Sequence, residues 1–297
     1  MLHPASTAHS DLELHRRLNS FNHERLRPRL PVDLDEADDD DLDPDTEVAL
    51  RGLEEHFIGS ERAAVAAAAA AAPSDPEGFV AWFEALQEHG PGQGDPLFPW
   101  LAETATLEQL RWFLAQEVAG EAGFEDLVAL TQLKFPVQAK LELARNFWDE
   151  MGRGKTSGMH GPMLDRLARS LELSDSPSEI VAEALALGNL MIALATNRRY
   201  AYHSVGALGV IELTAPGRAA CVNEGLRRLG VHASDRQYFA LHATLDVQHS
   251  IAWNREVLLS LAATGPGTVR AMAEGALLRL TAGARCFARY RRELGLA

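Results

Sequence analysis

The chain has 297 residues, of which 46% are hydrophobic, enough to form a sizeable core in one large domain or two modest ones. Its formal net charge of −14 argues against nucleic acid and anionic membrane surfaces as partners. The two cysteines, Cys221 and Cys286, are too few for a disulfide framework, and the first twenty residues contain no apolar run typical of a signal peptide. These features predict a cytoplasmic protein.

The N-terminal third of the chain differs in composition from the rest. Residues 1–46 contain several prolines and the acidic run Asp38 to Asp41, which predicts a partly ordered arm. Helices are predicted over 47–72 and 77–89, because both segments are rich in strong helix formers. Pro73 ends the first helix, and the loop PGQGDP follows the second. We therefore divide the chain into the arm, an N-terminal helical subregion (47–96) and a main helical bundle (97–297).

Helical signals continue through the predicted bundle. A long amphipathic helix is expected over 106–133, followed by a tight turn at 134–136 and an antiparallel partner over 137–151. Glycines at 152, 154 and 158 interrupt this pattern. Later helices are expected over 159–173, 178–197, 199–213, 216–229, from a capping box at 234–237 to about 265, and over 268–294. No alternating strand pattern is present, so the predicted fold class is all-α.

One stretch of the chain, LHATLDVQHS, carries a pattern typical of a metal site. His242, Asp246 and His249 are spaced four and three residues apart, which places them within an arc of roughly 60° on one helix face. Burying these groups without a partner is costly, and a divalent metal offsets that cost, since imidazole and carboxylate suit iron, manganese or zinc. The alternative is a metal-free polar network in which Asp246 orients both rings.

Other segments offer further candidate ligands. Glu212 lies in the apolar run GALGVIELT, where a glutamate is unfavourable without a partner, although it could also be an exposed residue of a last helical turn. Glu150 and His160 lie ten residues apart across three glycines, which would let the chain bend so that both reach one centre. Glu150 could equally be a solvated charge at a helix end.

The turn at Pro136 points to a further carboxylate. If the helices on either side are antiparallel, Glu150 lies opposite positions 119 to 121, about fifteen residues before the turn. Glu117 and Glu121 lie at that level, one helical turn apart, and either is a candidate ligand. Glu125 is the weaker candidate because it lies nearer the turn.

Together these residues resemble a known family. The spacing of ten between Glu150 and His160, the spacing of thirty between Glu212 and His242, and the phrase NFWDEMGRG are similar to the haem-oxygenase-like di-iron oxidases and oxygenases, often called iron-containing redox enzymes. The resemblance covers roughly residues 107–261. It implies a seven-helix bundle that binds two irons in place of haem.

The resemblance also implies a ligand set and a reaction class. The implied metal ligands are Glu150, His160, Glu212, His242, Asp246 and His249, with Glu117 or Glu121 as the remaining carboxylate. The implied cofactors are two Fe(II)/Fe(III) ions, with dioxygen as co-substrate and an amine, amino acid or fatty acid as the small-molecule substrate. A homodimer is a further expectation from the family.

Two other functions fit the residues less well. A metal-free bundle, either a small-molecule binding protein or a thiaminase-like hydrolase, would not need so many donors on facing helices, and no cysteine lies beside His242 to act as a nucleophile. A mononuclear zinc hydrolase would need fewer carboxylates, and the H-E-x-x-H pattern is absent from the sequence.

Overall fold

The computed structural model describes residues 4–28, 43–174, 176 and 178–296. Within these ranges the chain forms helices and no β-strand, which confirms the all-α prediction. The acidic run Asp38 to Asp41 lies outside the described residues. The helices in chain order are α1 (Pro4–Leu26), α2 (Pro44–Ala69), α3 (Pro76–His89), α4 (Leu97–Glu103), α5 (Leu107–Glu121), α6 (Phe124–Thr131), α7 (Val137–Glu150), α8 (His160–Ser170), α9 (Ala182–Thr196), α10 (Ala201–Arg228), α11 (Gln237–Ala252), α12 (Leu259–Ala262) and α13 (Pro266–Glu293).

Helix α10 lies at the centre of the bundle and packs against α11 and α13. Two glycines allow α10 and α13 to approach closely: a Cβ atom on Gly206 would lie 1.9 Å from the carbonyl oxygen of Met272, and one on Gly275 would lie 1.8 Å from that of His203. By length and hydropathy alone, the helical segment Arg198–Arg228 could cross a membrane, but 67% of its most apolar window is buried inside the fold. It serves here as the core helix.

The helices before the bundle pack onto it. Helix α1, which the sequence analysis did not predict within the arm, buries Leu18 and Phe21, and its Asn22 amide donates a hydrogen bond of 2.8 Å to the side chain of Asn189 on α9. Helix α2 contributes Arg62, whose guanidinium lies 2.9 Å from the buried carboxylate of Glu274 on α13. Buried apolar and charged contacts therefore hold both helices against the bundle.

The single helix predicted over 106–133 is wrong, because the structure divides it into α5 and α6. Ala122 and Gly123 between them have φ angles of 61° and 71°, in the left-handed region that ends an α-helix. Thr106 caps α5 through a capping box with Gln109, as the sequence suggested for its start. The break changes the direction of the chain next to the candidate carboxylates Glu121 and Glu125.

The two helices predicted over 199–213 and 216–229 are instead one continuous helix, α10. Proline removes a backbone hydrogen bond and usually breaks a helix interior at a cost of ~3 kcal/mol. Pro216 is buried together with Leu213, Thr214 and Ala219 on the same stretch. Burial on both sides of the proline offsets that local cost, so tertiary contacts keep the helix continuous.

The predicted capping box at 234–237 does not cap α11. The hydroxyl of Ser234 bonds to Asp235 and to the ring of His232, and Arg236 precedes the helix without a side-chain cap. Beyond α11, a π-helical turn over Trp253–Leu258 joins it to α12. Trp253 is buried there, whereas Ile251, two residues before it, is 56% exposed.

Candidate metal centre

A folded-back glycine link brings Glu150 and His160 together. Gly152 has a φ of 61°, and a Cβ atom there would lie 2.3 Å from the backbone of Gly158, so only glycine fits. The link returns the chain so that His160 begins α8 beside the end of α7. His160 Nδ1 then lies 2.5 Å from Glu150 Oε2, and both side chains are 3% exposed, so Glu150 is not a solvated charge.

Helices α10 and α11 supply the other side of the centre. Glu212, which is 2% exposed rather than a surface residue, lies with its Oε2 atom 3.4 Å from His249 Nδ1. The same nitrogen lies 3.9 Å from Glu150 Oε1. His242 stands edge to face with His160, with ring centroids 4.6 Å apart. The site is therefore closed by residues from α7, α8, α10 and α11.

The candidate ligands form two groups that share one carboxylate. Ligand atoms of Glu150, His160 and His242 all lie within 4.8 Å of one another, and so do those of Glu150, Glu212 and His249. Asp246 is buried and lines the cavity that Glu150, Glu212 and His242 also line. Two cation positions bridged by Glu150 are compatible with this arrangement.

Several buried ligand atoms at the centre make no well-aligned hydrogen bond to another described residue. Asp246 Oδ1 has no such partner, and His160 Nδ1 and His249 Nδ1 contact carboxylates that are themselves candidate ligands, Glu150 and Glu212. A buried polar atom without a partner costs about 1–3 kcal/mol, and each of these atoms is a metal-ligand type. His242 Nδ1 instead donates to the carbonyl of Tyr238 at 2.7 Å, which leaves Nε2 as its free ligand atom. The residues present therefore fit metal ions.

The carboxylates at the centre repel one another in a buried environment. Burial, followed by the charges of Glu212 and Glu150, raises the pKa of Asp246 to about 10. Burial and the charge of Glu212 also raise the pKa of Glu150 well above its usual value. A divalent cation among these groups would relieve both effects, because it offsets the negative charge and the lost hydration.

The three histidines differ in their electrostatic surroundings. Burial and the neighbouring imidazole of His249 lower the pKa of His160 to about 4, and burial and His160 lower that of His242 to about 4. Both rings are therefore neutral at pH 7, as metal ligands must be. Burial also disfavours the charged form of His249, but its contacts with Glu212, Glu150 and Asp149 outweigh burial and raise its pKa to about 9.

The structure separates the carboxylates that the sequence could not distinguish. Glu121 lines a recess together with Glu150, His160 and Glu125, and burial and the charge of Glu125 raise its pKa to about 8. Glu117, one turn earlier, faces Arg218, Arg279 and the hydroxyl of Tyr290. Glu121 is thus the better placed of the two for a metal.

Glu125 lies closer to the centre than we expected. Its carboxylate points at the start of α8, where a Cβ atom on Gly161 would lie 2.8 Å from Oε1. One straight helix over 106–133 would place Glu125 nearer the turn and farther from Glu150 than Glu121. The break at Ala122 and Gly123 changes this geometry.

Three supporting residues were not identified from the sequence. Asp149 accepts a hydrogen bond from His249 Nε2 at 3.3 Å, Asn146 donates to Glu212 at 2.5 Å, and the carbonyl of Tyr238 binds His242. Asn146 and Tyr238 each lie four residues before a candidate ligand on the same helix. This spacing places them on the same helix face as the ligand, so the sequence could have identified them as neighbours of the site. Contact between Asp149 and His249 depends on tertiary structure alone.

An apolar cavity adjoins the candidate ligands. Five phenylalanines line it, together with the ligands named above and the two arginines Arg218 and Arg279. The phenylalanines are Phe98, Phe113, Phe124, Phe239 and Phe287. Such an apolar cavity with a few converging polar groups is typical of small-molecule sites.

Comparisons with known proteins identify a family and a similar fold. A family model described as "iron-containing redox enzyme" matches residues 111–284, more than half of the chain. A solved structure at 2.00 Å of a CADD-like protein of unknown function from Nostoc punctiforme covers 81% of this chain and 97% of its own, with a TM-score of 0.50 and 15% identity. This likeness concerns the fold, which is of the haem-oxygenase-like helical type. A comparison with curated proteins finds no match. The chain belongs to the iron-containing redox enzyme family.

Proposed function

We propose that the chain is a non-haem di-iron, dioxygen-dependent oxidase or oxygenase that acts on a small molecule. The observation that carries this proposal is the pair of ligand groups joined by Glu150. A single metal would need only one of the groups, whereas two irons would use both, with Glu150 common to the two groups. Family membership supports iron as the metal.

The residues around the centre have distinct roles in this proposal. Glu150, His160 and His242 would hold one iron, and Glu150, Glu212 and His249 the other, with Glu121 and Asp246 as further carboxylates. When bound, the irons supply one-electron redox chemistry and a site for dioxygen. The tautomer of His242 is fixed by its hydrogen bond to the Tyr238 carbonyl, and Asn146 orients Glu212.

The phenylalanine-lined cavity supports a small-molecule substrate. Apolar walls exclude water from the space beside the ligands, which strengthens electrostatic interactions there and limits side reactions. The cavity adjoins Glu150, Glu212, His242 and Asp246, so a molecule in it would lie beside the metal ligands.

A metal-free binding protein is less well supported. It would keep Asp246 Oδ1 buried without a partner among the described residues, at a cost of about 1–3 kcal/mol, and would leave the carboxylates of Asp246, Glu150 and Glu212 repelling one another. A mononuclear zinc hydrolase would leave the second ligand group without a role. Both alternatives give different metal contents from the di-iron proposal.

Metal analysis tests the proposal. Protein loaded anaerobically with ferrous iron and desalted should contain close to two irons per chain and should consume dioxygen. Glu150→Ala removes the shared carboxylate and should lose most of both irons, whereas His242→Gln should lose about one. His203→Gln is the matched control, because His203 is buried on α10 but bonds to Glu274 away from both ligand groups. One zinc per chain with hydrolytic activity, or full iron content in the Glu150 variant, would contradict the proposal.

A further inference from the structure

Two arginines line one end of the cavity and face a single carboxylate, Glu117, among the described residues. Arg218 lies on α10 and Arg279 on α13, and both line the cavity beside Glu117 of α5. In the described part of the chain, neither guanidinium lies within 4.0 Å of a carboxylate oxygen, so neither forms a salt bridge. The hydrogen bond found for Arg218 goes to the hydroxyl of Thr214 at 2.9 Å.

This end of the cavity carries excess positive charge. Burial, with Arg279 beside it, lowers the pKa of Arg218 to about 10, so the guanidinium is still charged at neutral pH. One carboxylate, Glu117, faces two cations, and burial favours its neutral form by raising its pKa. Two buried cations that share one carboxylate are not fully compensated, so an anion that enters this end would be stabilised.

The remainder of the cavity is suited to an apolar group. Phe98 and Phe287 are adjacent to Arg218, whose guanidinium carbon lies 5.9 Å and 5.5 Å from the centres of their rings. The cavity volume is about 120 Å³, against the ~10–15 Å³ that one water molecule needs, so a small organic molecule fits. An inorganic anion would leave the phenylalanine walls unoccupied.

The cationic end and the metal ligands lie at different levels of the same helices. Arg218 follows Glu212 by six residues on α10, a rise of about 9 Å along the helix axis. Glu117 precedes Glu121 by four residues on α5, a rise of about 6 Å. A molecule held at the arginines would therefore extend by one to two helical turns to reach the ligand cluster.

We propose that the cavity binds a small organic monocarboxylate, whose carboxylate lies between Arg218 and Arg279 and whose apolar part extends along the phenylalanines toward the metal ligands. This inference names the substrate class for the proposed function and rests on it. Guanidinium groups bind carboxylates through paired, charge-assisted hydrogen bonds, and two guanidiniums from different helices fix the orientation of the ligand. The metal-proximal part of the molecule is then the apolar end, not the carboxylate.

A matched ligand series tests the inference on the full chain, before and after iron loading. Octanoate, octan-1-ol and octylamine share one apolar chain and differ in charge. Binding measured by calorimetry should be about tenfold or more tighter for octanoate than for octan-1-ol, and weakest for octylamine. Equal affinity for octanoate and octan-1-ol, or a preference for octylamine, would overturn the inference.

Variants locate the carboxylate. Arg218→Met and Arg279→Met should each remove most of the preference for octanoate over octan-1-ol. Arg227→Met is the matched control, because Arg227 lies on the same helix as Arg218 but is exposed and paired with Glu224. Circular dichroism shows whether the variants fold. If both folded variants keep the preference for octanoate, the carboxylate binds elsewhere and the inference is wrong. The inference is also wrong if the preference requires bound iron and survives both substitutions. The wild-type series remains decisive if a variant does not fold.

The two proposals can fail separately. Preference for octanoate in a protein that binds no iron would support the carboxylate site and contradict the di-iron proposal. Two irons per chain without a preference for octanoate would support the di-iron proposal and contradict the carboxylate site.

Discussion

Asp149 accepts a hydrogen bond from His249 across the boundary between α7 and α11, with 3.3 Å between Oδ2 and Nε2. When His249 is neutral, as a metal ligand must be, this bond keeps the proton on Nε2 and leaves Nδ1, which faces Glu150 and Glu212, as the ligand atom. Asp149 itself is held by Arg153, whose Nε lies 2.5 Å from Oδ1. One carboxylate outside the ligand groups thus selects the tautomer of a candidate ligand.

Asp149→Ala should weaken metal binding at the position that His249 serves. Loss of such an orienting partner typically lowers metal affinity by about 10–100-fold. Competition with a metal-chelating dye should show one weakened and one unaffected iron per chain. Arg153→Met is the control, because it retains the contact between Asp149 and His249. Equal metal affinity in wild type and Asp149→Ala would contradict the orienting role.

Glu121 and Glu117 should respond differently to substitution. Glu121 lies beside Glu150 and His160, whereas Glu117 faces the arginines. We therefore expect Glu121→Gln to lower iron content below that of wild type and Glu117→Gln to retain two irons per chain. Elemental analysis of both variants after identical loading makes the comparison. Loss of iron in the Glu117 variant alone would reverse the assignment.

The stabilisation that metal provides should increase with pH. In the metal-free protein the pKa values of Glu121, His249 and Asp246 are raised to about 8, 9 and 10, from usual values of 4.5, 6.5 and 3.8. At pH 7 these groups are largely protonated in the folded state, whereas the same groups in the unfolded chain are largely deprotonated. The folded state must lose these protons as pH rises from 7 to 9, so the free energy of unfolding of the metal-free protein decreases over this range. The same protons compete with metal, and this competition fades over the same range.

The measurement is the difference in Tm between iron-loaded and metal-free protein, taken anaerobically from pH 6.5 to 9. We expect this difference to widen steadily with pH. His160 and His242, with pKa values of about 4, are neutral throughout and add no slope. A difference that stays constant or narrows would show that the three raised groups do not bind the metal.

The close approach of α10 and α13 should be sensitive to a single methyl group. Gly206→Ala would place a Cβ atom 1.9 Å from the Met272 carbonyl oxygen, so the helices must separate, at a cost of about 1–3 kcal/mol or more. Gly217→Ala on the same helix meets no atom within 4 Å and should stabilise by about 0.5–1 kcal/mol. Urea denaturation of both variants gives the two free energies of unfolding, and opposite signs are expected.

The helical class and one local part of the site could be predicted from the sequence. Apolar periodicity identified most of the helices, because side chains on one helix face repeat at a fixed interval. The same periodicity placed His242, Asp246 and His249 on one face, since the spacing within a helix is set by its geometry. The glycines at 152, 154 and 158 signalled the folded-back link for the same local reason.

Relations between helices were decided only by the tertiary structure. Helix α10 continues past Pro216 because the residues on both sides of the proline are buried, although local propensity predicted that the helix would end there. The left-handed backbone at Ala122 and Gly123 divides a segment that the sequence pattern predicted to be one helix. That break decides how close Glu125 comes to the start of α8. The meeting of Arg218 with Arg279 likewise depends on how α10 and α13 pack. Periodicity fixes which residues share a face, but the partner of that face depends on helix crossing and close packing, which involve residues far apart in the sequence.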